Sequence, residues 1–79
     1  MDPEQIKQII EDGMETTLVN VIGEGGKYEA TVVSKAFEGL SMLKQHKLVY
    51  PLLDNYIKSG EIHALSIKSY TPEQWEAKS

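Results

Sequence analysis

Hydrophobic positions change their spacing along the chain, and the changes mark out elements. Ile6, Ile9 and Ile10 share one helical stripe near the N-terminus. The stripe is preceded by Asp2-Pro3-Glu4-Gln5: a capping residue, a proline where no amide donor is needed, and an acid at the positive end of the dipole. Gly13 is the expected end of this helix. From residue 16 to 34 the pattern alternates. Thr17-Leu18-Val19-Asn20-Val21-Ile22 is β-branched and apolar, and Tyr28, Ala30 and Val32 share one face of a returning strand. Between them, Gly23-Glu24-Gly25-Gly26 supplies the positive φ that a hairpin loop needs.

A turn is expected at Ala36-Phe37-Glu38-Gly39, where Phe37 anchors the core and Gly39 relieves the backbone. Helical spacing then returns over residues 41–59, closed by Gly60, with Val49, Leu52, Leu53, Tyr56 and Ile57 facing inward. Pro51 falls inside that span and predicts a kink or break near residues 47–49. A third strand follows, with His63, Leu65 and Ile67 on one side. Thr71-Pro72-Glu73-Gln74 then repeats the opening cap before a short helix whose only large apolar residue is Trp75. The order is α-β-β-α-α-β-α. A helical link between the second and third strands makes them a parallel pair. The expected fold is α+β, a mixed three-stranded sheet with helices on one face, in one domain over residues 1–79.

Composition narrows the possible functions. At 79 residues there is little room for a deep substrate pocket. The chain has no cysteine, so disulfides, thiol nucleophiles and thiolate ligands are all excluded. No apolar run approaches membrane-spanning length, and Met1-Asp2-Pro3-Glu4 carries no apolar signal core, so a soluble cytoplasmic protein, monomeric when alone, is expected. The net charge is −4 and arginine is absent, which argues against strong readout of duplex base edges. The serines and two histidines form no readable nucleophile–base set, so an enzyme is not expected. The glycine loop is followed by a strand and lacks both dinucleotide and P-loop signatures, so it reads as a turn.

His63 is the residue that suggests chemistry. At the rim of the core face, an imidazole can be held in one orientation while offering a nitrogen to a metal or partner. Lys35, Lys44 and Lys47 gather in mid-chain. His46 lies on the polar shoulder of the same helix, where a protonated imidazole can touch a phosphate.

Several segments together resemble the BolA-like family, and within it the short acid-stress, YrbA-like branch. They are Val32-Val33-Ser34, Ala36-Phe37-Glu38-Gly39, Lys44-Gln45-His46-Lys47-Leu48-Val49-Tyr50, Ile62-His63-Ala64-Leu65-Ser66-Ile67-Lys68 and Tyr70-Thr71-Pro72-Glu73-Gln74-Trp75. The resemblance implies a fold like class II KH domains, although the KH clamp needs a GXXG loop between helices, which this chain lacks. It implies a non-enzymatic adaptor that binds a monothiol glutaredoxin with glutathione and shares a [2Fe-2S] cluster not held by this protein alone, in iron–sulfur trafficking or iron and stress sensing. The family's invariant histidine maps onto His63, the implied iron ligand, and histidine ligation of one iron has precedent in Rieske centres. The family often places a second ligand in the hairpin loop, where this chain has Lys27, and an ammonium has no lone pair to give. A carboxylate from Glu24, a water and His46 are the alternative ligands, and Gly23, Gly25, Gly26 and Lys27 form the loop that meets the partner. The family's other tradition implies a DNA-binding, stress-linked transcription regulator. Its phosphate contacts here would come from Lys35, Lys44, His46, Lys47 and Lys68.

Overall fold

The computed structural model describes residues 1–78. Helix α1 (Pro3–Gly13) opens on a reciprocal cap. The Gln5 amide donates to the Asp2 carboxylate (3.0 Å), and the Asp2 amide donates to the Gln5 side chain (2.8 Å). Ile6 and Ile10 are fully buried. Gly13 is the last helical residue, and Met14 caps the end in extended conformation. Its lack of a side chain serves packing, because a Cβ there would lie 2.6 Å from Leu52 Cδ2.

Strands β1 (Leu18–Glu24) and β2 (Lys27–Val33) form an antiparallel hairpin in register from Leu18↔Val33 to Glu24↔Lys27. Both strands run further towards the turn than expected. The connection shrinks to Gly25 and Gly26, whose φ values of +63° and +83° match the tight turn that suits twisted strands. Val19, Val21, Tyr28, Ala30 and Val32 line the core face. The Tyr28 hydroxyl donates to the Met1 carbonyl and ties the hairpin to the N-terminus.

After β2, buried Ser34 caps a single 3-10 turn (Lys35–Phe37) where a turn is expected, and one α-helix follows before β3 instead of the two in the expected order. Helix α2 (Met42–Ser59) then runs unbroken through Pro51, without the break expected near residues 47–49. Pro51 lies on the exposed side, so the Lys47 carbonyl it leaves unpaired faces water and the helix is not forced apart. Gly60 closes α2 at φ +87°.

Buried Gln45 joins three segments. Its amide nitrogen donates to the carbonyls of Phe37 (3.2 Å) and Leu40 (2.9 Å), and its oxygen accepts from the Ser69 hydroxyl (2.6 Å). Strand β3 (Ala64–Tyr70) pairs parallel with β2, from Lys27↔Ala64 to Val33↔Tyr70, giving the sheet order β1-β2-β3. Helix α3 (Pro72–Lys78) repeats the reciprocal cap between Thr71 and Gln74. The α+β architecture is the expected one: α1 and α2 cover one face of a mixed sheet. Helix α3 buries no residue of its own and meets Tyr70 through Trp75 (ring centroids 5.4 Å apart). Strand alternation turns Tyr70 away from the core side of Ile67.

Candidate functional site at the hairpin end of the sheet

Between Gly60 and β3 the chain is anchored by Ile62. Its side chain is buried, and its amide donates to the Tyr56 carbonyl at the end of α2 (3.0 Å). That anchor presents the next two amides to the hairpin turn. Both His63 N–H (2.7 Å) and Ala64 N–H (3.0 Å) donate to the Gly26 carbonyl. His63 therefore sits one residue before β3, on the helix-covered side of the sheet, and is exposed.

The imidazole lies on the face of Gly26 where a side chain would otherwise stand. A Cβ on Gly26 would be 2.4 Å from His63 Cδ2, and His63 Cε1 comes within 4.0 Å of the corresponding position on Gly60. Two glycines at positive φ thus make a notch for one ring. Neither ring nitrogen has a hydrogen-bond partner among the described residues. A neutral imidazole so held can ligate a metal through a nitrogen lone pair.

The other candidate residues separate into two groups. Lys27 pairs with Ala64 on one side and Glu24 on the other, so Lys27 flanks the site directly. Glu24 is two strand spacings from Ala64, about 10 Å. Alternation turns Lys27 and Glu24 to the open face of the sheet, opposite His63. On that face a shallow cleft of about 390 Å³ is lined by Ile22, Gly23, Lys27, Glu29, Ala64 and Ser66.

His46 does not join this site. Ser59 is thirteen residue steps further along α2, a rise of about 20 Å, whereas His63 lies beside Gly60. Nor is His46 on a polar shoulder. It is half-buried, edge-on to Tyr50 (6.2 Å), and its Nε2 is buried with no hydrogen-bond partner. No cluster of three or more metal-ligating side chains occurs among the described residues.

The five candidate phosphate contacts also divide. Lys35, Lys44 and Lys47 are exposed around the start of α2. Lys68 is on the open face of the sheet, bonded to Glu29 (2.6 Å). The hydrogen bond and charge of Glu29 raise the Lys68 pKa above its ordinary 10.5.

Residues 5–74, from the first turn of α1 to the first turn of α3, match the family model described as BolA, BolA-like protein. The chain belongs to the BolA-like family. Its relatives include the acid stress protein IbaG of Escherichia coli K12, 35% identical over 75 residues, which are 95% of this chain and 89% of the relative. Among solved structures, a BolA protein homologue from Coxiella burnetii is 42% identical with a TM-score of 0.85, covering 96% of this chain and 97% of that one. Yeast Fra2 is 29% identical with a TM-score of 0.77, over 95% of this chain and 84% of that one.

The matched residues of this BolA-like chain include the whole hairpin, α2 and His63. No helix among its described residues is long and apolar enough to cross a membrane. Gly26 and Ile62 hold His63 in place, a role the sequence does not assign to them: it puts Gly26 in the loop that meets the partner and Ile62 in the strand segment. A double glycine signals the turn, but nothing local says which glycine supports a ring from 37 residues away.

Proposed function

We propose that this BolA-like protein is a non-enzymatic adaptor that binds a monothiol glutaredoxin with glutathione and lends His63 to a shared [2Fe-2S] cluster. The observation that carries this reading is the exposed His63 ring, seated on Gly26 with both nitrogens free of protein partners. The donor set fits a shared cluster and not a resident one. One imidazole is in place, its neighbour Lys27 cannot ligate, and the remaining ligands must come from the partner's thiolates. The acid-stress relative supports a role in stress or iron sensing, because protonation removes an imidazole from a metal. The DNA-binding reading has less support, since its five residues occupy two faces and Lys68 is already paired.

The test is reconstitution of the cluster with a monothiol glutaredoxin and glutathione, with and without this protein, followed by visible absorption and circular dichroism. A spectrum distinct from the glutaredoxin homodimer, and lost with His63→Ala, is expected. An unchanged spectrum with His63→Ala removes the ligand assignment. No complex at all removes the adaptor.

A further inference from the structure

At the outer side of β3 the sheet ends without cover. Ala64 N–H donates to Gly26 O and Ser34 N–H donates to Tyr70 O, so the even-numbered residues of β3 turn their backbone groups to β2. By alternation, Leu65, Ile67 and Ser69 turn theirs outward. Among the described residues only the Leu65 carbonyl finds a side-chain partner there, the Tyr50 hydroxyl (3.2 Å). An open edge of this kind is a template for another strand.

One wall of this edge is apolar. Leu43, Tyr50 and Ile57 follow one another at seven-residue intervals on α2 and are 66%, 37% and 36% exposed. Seven residues bring a helix back to nearly the same face, about 10.5 Å further on. Helix α2 runs against β3 in direction, since Gln45 meets Ser69 and Tyr50 meets Leu65. The wall is therefore about 21 Å long, matching the roughly 23 Å of a seven-residue strand.

Charge defines the occupant. Near the Ser69 end, Lys47 is exposed, about 60° round the helix from Tyr50, and meets no carboxylate among the described residues. At the other end, Lys58 is neutralised by Asp54 (2.9 Å). The β3 strand of a second copy, Ala-Leu-Ser-Ile-Lys-Ser-Tyr, would bring a lysine and no carboxylate. We infer that the α2–β3 edge receives an extended segment of a partner protein, paired antiparallel with β3, apolar at alternate positions and led by acidic residues that meet Lys47. His63 contributes no group to this edge, although the end formed by Leu65 and Ile57 adjoins its ring.

The probe is the blocked peptide Asp-Glu-Val-Thr-Val-Thr-Val, titrated into isotope-labelled full-length protein by NMR. The amides of Leu65, Ile67 and Ser69 shift and exchange more slowly with solvent, and His63→Ala leaves this unchanged. A peptide led by two lysines binds at least about tenfold more weakly at low salt, and K47E reduces that preference. N-methylation at alternate peptide residues abolishes binding because it removes the ladder donors. Ile57→Asp, with an otherwise unaltered spectrum, weakens binding about tenfold. The inference is overturned by any of three results: no shift at millimolar peptide, shifts confined to the hairpin and His63, or binding indifferent to N-methylation. It is also overturned if the edge amides shift with protein concentration alone, since the occupant is then a second copy.

Discussion

Replacing Gly26 by alanine tests whether the hairpin turn holds the His63 ring. Two costs follow from the geometry. The backbone is at φ +83°, where a Cβ costs about 1–2 kcal/mol. The same Cβ would lie 2.4 Å from His63 Cδ2 and 3.2 Å from Cγ, so the imidazole must leave its rotamer, at about 0.5–1.5 kcal/mol more. The neighbouring Gly25 provides the control. Its φ is +63°, and nothing stands within 4 Å of its missing Cβ, so Gly25→Ala carries the first cost alone. Urea unfolding should therefore place Gly26→Ala below Gly25→Ala by about 0.5–1.5 kcal/mol. In a His63→Ala background that gap should close, because the ring that collides is gone. The NMR signals of the His63 ring should move in the Gly26 variant and stay in place in the Gly25 variant. Equal destabilisation by the two substitutions, with an unmoved His63 ring, would refute the notch.

Two further perturbations have defined outcomes. Gln45→Ala removes the buried amide shared by Phe37, Leu40 and Ser69, and should cost about 2–4 kcal/mol in urea unfolding through lost bonds and unpaired buried groups. A cost under about 0.5 kcal/mol would mean that water replaces it. Glu29→Gln should bring the Lys68 pKa back towards its ordinary value, followed by NMR titration of the lysine side chain. Because Glu29 raises the folded-state pKa, the pair's contribution, while Glu29 is ionised, is fully present below about pH 10.5 and is lost as pH rises through the folded value. A Lys68 titration unaffected by Glu29→Gln would show that the ion pair does not persist in solution.

Local chemistry determined most of the elements. The reciprocal caps at Asp2 and Thr71, the alternation through Tyr28, Ala30 and Val32, and the α2 stripe closed by Gly60 each depend on hydrogen bonds or side-chain periods within one turn or strand pair. Such signals are complete in a short stretch of sequence. The parallel pairing of β2 with β3 also followed from the sequence, because a helix must carry the chain back across the sheet. Tertiary structure decided whatever depends on which remote surfaces meet. Pro51 is tolerated because its side of α2 faces water, Gly13 is small because Leu52 crosses it, and Trp75 docks on Tyr70 outside the main core. His63 was legible as a residue, but its seat was not. Sequence spacing says nothing of Gly26 beneath its ring or of the unbroken run of α2 that keeps His46 about 20 Å away. A ligand set is a matter of convergence in space, and that is fixed only when the crossover, the sheet register and the helix lengths act together.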